Sequence, residues 1–328
     1  MDTLISLITA DIVGTPAWLW LSFLAIVFVL LAFDLGVLNK GNKELGIGES
    51  LRLSLFYIFV AVLFGGWVWY SRGADASMQY FTGYAIEKAL SIDNVFVISL
   101  IFSYFAIPRI YQYRALVWGI IAVLVLRGLM IGVGAALVQE YDWVLLLFGA
   151  FLVATGIKML IVKEGEQDIS KNPVVRLLSR VLRVTPQLHG QRFIVRQPHP
   201  VTGKMVLWVT PLFLALVVIN IADLVFAVDS VPAIFAITTD TYIVFTANIM
   251  AILGLRALYF ALAAMVHRFE YLKYALALVL VFIGGKIFWN YFYGKLDPAV
   301  SLSVTLAMIA GGVVFSLWKT RKTGLGAH

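Results

Sequence analysis

The chain has 328 residues, 62% of them hydrophobic and only 13% charged, whereas soluble domains run near about 45–50% and 25%. No soluble core hides that much apolar surface, so the solvent must be a bilayer. The chain has no cysteine, which excludes disulfides, thiolate metal sites and cysteine nucleophiles, and a formal charge of +7 makes the placement of its bases decisive.

Met1 to Ala17 carries Asp2 and Asp11 and no base, so a signal peptide is not expected there. Long apolar runs predict nine spans near 16–38, 52–70, 80–105, 115–138, 143–163, 206–237, 243–265, 271–292 and 299–318. The sixth is too long for one straight crossing and contains Pro232, so it is expected to break. With the N-terminus outside, the inner loops, the span ends beside them and the C-terminal tail hold eighteen lysines and arginines, against Arg72 and Lys295 outside. That asymmetry predicts an N-out, C-in topology, and it explains the basic excess without nucleic acid.

The long loop 164–205 is predicted to hold a helix at 174–184. Arg176, Arg180 and Arg183 would share one face of it and lie on the anionic inner leaflet. A hairpin follows, with Phe193-Ile194-Val195-Arg196 and Met205-Val206-Leu207-Trp208 flanking the Pro198 to Gly203 turn signal. His189 and His199 read as solvated loop histidines.

Two parts of the chain echo each other. Glu87 and Asp93, Leu126-Arg127, Asp142-Trp143 and Gly156-Ile157-Lys158 find counterparts in Asp223 and Asp229, Leu255-Arg256, Glu270-Tyr271 and Gly284-Gly285-Lys286. Each unit has three spans, and an odd number inserts the second unit upside down. Inverted repeats of this kind characterise secondary transporters, with the substrate site at the repeat interface. The expected architecture is an all-α polytopic membrane protein. It comprises 1–75 as two bracing spans, 76–163 as the first repeat, 164–205 as the cytoplasmic basic loop, 206–292 as the second repeat, and 293–328 as the last span and a basic tail.

Charges inside a membrane are expensive, so each needs a reason. The intramembrane acids are Asp34, Glu87, Asp93, Asp223 and Asp229, and the bases are Lys88, Arg127, Lys158, Arg256 and Lys286. They divide evenly, so helix-orienting ion pairs are one reading. The three lysines lie near span ends, within snorkelling reach of water, which leaves acids unmatched. Glu87 and Asp93 are six residues apart, about 120° around a straight helix, so both serve one neighbour only if the helix unwinds. Pro232 frees the Val228 carbonyl beside Asp229. The candidate metal ligands are therefore Glu87, Asp93, Asp223 and Asp229, with Asn94, Asn220, Ser230 and Asn248 as neutral oxygens. Oxygen ligands without thiolate or span histidine suit magnesium, calcium or manganese. Arg127 and Arg256 are expected to organise the carboxylates, and Asp34 has no repeat counterpart. No phosphate loop or nucleophile–base pair is present, so neither an enzyme nor a cofactor is expected.

Three segments then carry a family resemblance. They are Gly83-Tyr84-Ala85-Ile86-Glu87-Lys88-Ala89-Leu90-Ser91-Ile92-Asp93-Asn94-Val95-Phe96-Val97, Phe226 to Ala236 around Asp229-Ser230-Val231-Pro232, and Asn248 to Phe260. They resemble the signature segments of the TerC family, over most of the chain, and within it the Alx-type branch. The resemblance implies manganese export across the bacterial inner membrane, the inverted-repeat fold, and Glu87, Asp93, Asp223 and Asp229 as site acids. Where the family commonly has glutamate three residues before the second-repeat acid, this chain has Asn220, which removes a negative charge.

The expected function is export of Mn2+, or another hard divalent cation, by alternating access with proton antiport. Two alternatives stand beside it. One is a transporter of calcium, or of an amino acid or oxyanion held by Arg127 and Arg256. The other is a non-transporting membrane partner of secretion or of metal-dependent exoenzymes.

Overall fold

The computed structural model describes residues 10–12, 14–36, 46–141, 143–161, 173–198, 203–262 and 271–322. The side chains of 34–36, 93, 173, 174, 179, 256, 321 and 322 lie outside that description. Eleven helices are described: α1 (Ala17–Gly36), α2 (Ile47–Arg72), α3 (Ala74–Tyr104), α4 (Arg109–Glu140), α5 (Trp143–Ile161), α6 (Pro173–Val181), α7 (Pro211–Phe235), α8 (Thr241–Leu253), α9 (Leu255–Leu262), α10 (Leu272–Phe292) and α11 (Pro298–Lys322). The strands form two small antiparallel hairpins, β1 (Asp11–Ile12) with β2 (Thr15–Pro16) and β3 (Ile194–Pro198) with β4 (Met205–Val209).

Among the described residues, α2, α4, α5, α7, α10 and α11 are each long and apolar enough to cross a membrane. Their outer faces stay apolar: Val125 is 68% and Leu129 65% exposed on α4. Such faces are stable against lipid and not against water. Exposed aromatic residues collect at helix ends, with Trp69 and Tyr70 on α2, Tyr141 and Trp143 between α4 and α5, and Tyr291 and Tyr293 at the end of α10. This is the pattern of a membrane-interface belt. The protein is an all-α, multi-pass integral membrane protein.

Helix starts follow local chemistry. Thr210 caps α7, its hydroxyl accepting from the Phe213 amide with Pro211 in the first turn. Asp240 caps α8 by accepting from the Tyr242 and Ile243 amides at 3.0 and 3.2 Å, and it also pairs with Arg72 at 2.8 Å. That ion pair ties the end of α2 to the start of α8. Phe23, Phe64, Tyr80 and Tyr242 form one core that seats α1 and α2 on α3 and α8.

Two expectations are corrected. Pro232 does not break the sixth span; α7 runs unbroken from Pro211 to Phe235. The proline sits in the last turn, and its carbonyl still accepts from the Ala236 amide at 2.9 Å, so the lost N–H ends the helix rather than splitting it. The start near 206 also moves, because Met205–Val209 is β4 of the anticipated hairpin. The break lies instead in the seventh segment, at Gly254 between α8 and α9. In the basic loop the helix stops at Val181. Arg183 therefore lies beyond it, and its carbonyl accepts from the Val209 amide. His199, Asp142 and Glu270 are outside the described residues.

The inner helices pack as a set. α3 lies along α8, α4 along α7, and α3 against α7, while α5 and α10 form the most extensive pair. Glycines set that last contact. A Cβ at Gly156 would stand 2.7 Å from the Ala277 carbonyl oxygen and 2.7 Å from Val281 Cγ2; one at Gly284 would stand 2.7 Å from the Gly149 carbonyl oxygen and 2.8 Å from Val153 Cγ2. One fixed sequence offset carries Gly149, Val153 and Gly156 onto Ala277, Val281 and Gly284, so the contact is reciprocal. Small residues let membrane helices approach this closely.

Candidate functional site

α3, α4, α7 and α8 meet around one side chain. Arg127 on α4 is 1% exposed, and its planar guanidinium presents donors in a fixed fork. Nε donates to Asp223 Oδ2 at 3.1 Å and Nη2 to Asp223 Oδ1 at 3.1 Å, a bidentate pair. Nη1 donates to Glu87 Oε1 on α3, to Ser230 Oγ at 3.0 Å and to Asn248 Oδ1 at 3.3 Å. Asn94 adds its Nδ2 to Asp223 Oδ1 at 3.4 Å. Helical phase explains the selection: Glu87 and Asn94, like Asp223 and Ser230, are seven residues apart and so share a helix face.

Two carboxylates thus share one guanidinium, which leaves a formal charge of −1 in a buried cage. Two of its polar atoms, Glu87 Oε2 and Asn248 Nδ2, have no hydrogen-bond partner among the described residues. Glu87 is 1% exposed, so its second oxygen is a buried acceptor with capacity in hand. Ser91, on the same face of α3, instead donates to the Glu87 backbone carbonyl at 2.7 Å.

The structure therefore brings together Glu87, Asn94, Asp223, Ser230 and Asn248, with Arg127 among them. It does not bring in Asp229, which turns to α5, where Thr155 and Lys158 are its polar neighbours. Asn220 stays at the α4–α7 contact; its Nδ2 donates to the Leu216 carbonyl at 2.8 Å, and its Oδ1 has no partner among the described residues. The side chains of Asp93, Arg256 and Asp34 lie outside the described residues. Among the described residues, no group of three or more histidine, aspartate or glutamate side chains gathers as a metal cluster.

Two lysines do not snorkel. Lys88 donates Nζ to the Ala251 carbonyl at 3.2 Å, at the break between α8 and α9, and a Cβ at Gly254 would stand 2.7 Å from that nitrogen. Gly254 thus makes room for a buried ammonium. Lys286 is 5% exposed and donates to Ser301 Oγ at 3.1 Å, joining α10 to α11. Span-end proximity pointed both lysines toward water, whereas neighbouring helices supply their acceptors. Lys158, by contrast, is exposed. Thr155 was missed, although its position one helical turn before Lys158 is a readable signal.

Residues 72–324 match the integral membrane protein TerC family. The chain belongs to this family. An uncharacterized membrane protein of Rickettsia bellii (strain RML369-C) is 46% identical over 298 residues, spanning 91% of this chain and 96% of that protein. An uncharacterized membrane protein of Myxococcus xanthus is 42% identical over 309 residues, 94% of each chain. The Escherichia coli (strain K12) protein named "Putative membrane-bound redox modulator Alx" is 42% identical over 315 residues, covering 93% of this TerC-family chain and 96% of that protein. No solved structure matches the chain.

Proposed function

We propose that this TerC-family protein is a secondary transporter that exports a divalent cation, Mn2+, across the bacterial inner membrane by alternating access, with proton antiport. The observation that carries the reading is the buried cage in which Glu87 of the first repeat and Asp223 of the second converge with Ser230 and Asn248. Its donors are hard oxygens, the ligand class of manganese, calcium and magnesium. Asp93 and Asp229 serve as the second pair of acids, and Asn220 reduces the charge the ion meets.

The inverted repeat has its own support. A pseudo-two-fold in the membrane plane exchanges α3 with α7, α4 with α8–α9, and α5 with α10. Under that exchange the α3–α8 and α4–α7 contacts are images of each other, as are the two halves of the glycine contact between α5 and α10. In this reading α1, α3 and the α8–α9 pair cross alongside the six long apolar helices, giving nine crossings with the N-terminus outside. α6, with Arg176 and Arg180 beside exposed Leu177 and Val181, lies on the anionic inner leaflet.

An amino acid or oxyanion substrate would need an unpaired arginine; Arg127 is tied to two protein acids, and the side chain of Arg256 lies outside the described residues. The redox role in the name of the Alx relatives comes to this chain only indirectly. Without cysteine it has no thiol chemistry of its own, and an exported redox-active metal would be its route to redox balance. The reading is tested by cellular manganese retention and by manganese uptake into inverted vesicles. Asp93→Asn and Asp229→Asn are expected to raise retention and abolish uptake; if both measurements stay at wild-type values, the assignment of those acids fails.

A further inference from the structure

The acceptors of Arg127 are all candidate metal ligands. The guanidinium takes both oxygens of Asp223, one of Glu87, the hydroxyl of Ser230 and the amide oxygen of Asn248. From sequence, Arg127 is expected to organise these carboxylates, and the structure puts its charge in the middle of them, where a cation would sit. We propose that Arg127 is a tethered counter-cation: its guanidinium holds the cation position of the empty carrier, and an incoming divalent ion displaces it from Glu87 and Asp223. This rests on the export reading above.

Three physical arguments carry it. Two buried carboxylates with no cation between them are strongly unfavourable in a dry site, and this chain supplies one cation without any solute. Serving both cations at once is unfavourable, because a hard divalent ion held at oxygen contacts near 2.0–2.6 Å stands close enough to repel the guanidinium. A landing point exists, since Glu87 Oε2 is buried and has no hydrogen-bond partner among the described residues while Oε1 holds Arg127. An ion arriving there meets a free carboxylate oxygen before any bond to Arg127 breaks. A resident positive charge also stabilises the metal-free carrier, which reorients carrying its protons, so loading and return become separate steps.

Separating those steps is the test. The full-length protein is reconstituted in liposomes loaded with Mn2+, and two rates are read: net efflux into manganese-free buffer, and one-for-one exchange of labelled Mn2+ with manganese present on both sides. Exchange never needs the metal-free, proton-carrying carrier to return, whereas net efflux does. Arg127→Gln is expected to lower net efflux roughly tenfold or more, the scale of losing a buried charge partner, while exchange stays within about threefold. Arg127→Lys, which keeps the charge, is expected to retain both. Equal loss of net efflux and exchange in folded Arg127→Gln protein overturns the proposal, as does full net efflux. Absence of both fluxes in the unaltered protein sinks the export reading and this inference with it. If Arg127→Gln does not fold, a structure of the unaltered protein with Mn2+ decides: an ion on Glu87 and Asp223 with the guanidinium moved off upholds the proposal, and an ion bound while Arg127 still bridges both acids overturns it.

Discussion

Arg127 and its two acids form a buried triad whose members are not equivalent in stability. Removing the base strands two carboxylates, whereas removing one acid's charge leaves a neutral Arg127–Asp223 pair in good bidentate geometry. Breaking a buried pair by deleting one partner costs about 3–5 kcal/mol. Arg127→Ala is therefore expected to lose about that much, and Glu87→Gln distinctly less; thermal unfolding in detergent measures both, and equal losses would show that charge balance is not what holds the site. The acids and their helix faces were legible in the sequence, because a seven-residue spacing fixes a shared face. That Asp229 leaves the group follows from its six-residue spacing to Asp223, the same argument applied to the second helix. What the sequence could not supply was the identity of the neighbours. Thr155 opposite Asp229 and the Ala251 carbonyl opposite Lys88 are set by packing between segments far apart in the chain.

At the scale of helices, the α5–α10 contact, the proline at 232 and the break at Gly254 show where local rules hold and where they yield. Gly156 and Gly284 face backbone atoms across the interface at distances no side chain tolerates. Alanine at either position forces the helices apart, and overpacking of this kind costs about 1–3 kcal/mol. Gly156→Ala and Gly284→Ala are each expected to lower the unfolding temperature, with the double variant losing less than the sum because the first change already opens the shared seam. Additive losses would mean the two glycines act independently. The hairpin and the amphipathic helix were readable from turn residues and helical period. Pro232 misled because a proline's effect depends on where the helix ends, and that end was not marked in an unbroken apolar run. Gly254 was equally hard to read, since a single glycine in an apolar segment gives no sign that a buried lysine fills the notch beside it.

At the scale of the molecule, composition alone established the membrane class, and the basic asymmetry of the loops supplied an orientation. Composition does less for α3. Six helices pass on length and apolarity, while α3 has 31 residues, about 46 Å of helix at 1.5 Å per residue, and is set apart by Glu87, Lys88 and Asp93. α3, a crossing in the proposed reading, is thus less recognisable than α4 or α7, because hydropathy counts against the charges it carries. The central claim, that this TerC-family protein moves a divalent metal through that charged interior, is tested most directly with the purified protein in liposomes carrying an imposed proton gradient. Saturable Mn2+ flux driven by the gradient, with proton movement in the opposite direction and loss of both in Asp223→Asn, is the expected result. Liposomes containing folded, unaltered protein that show neither metal flux nor metal-dependent proton movement would contradict it.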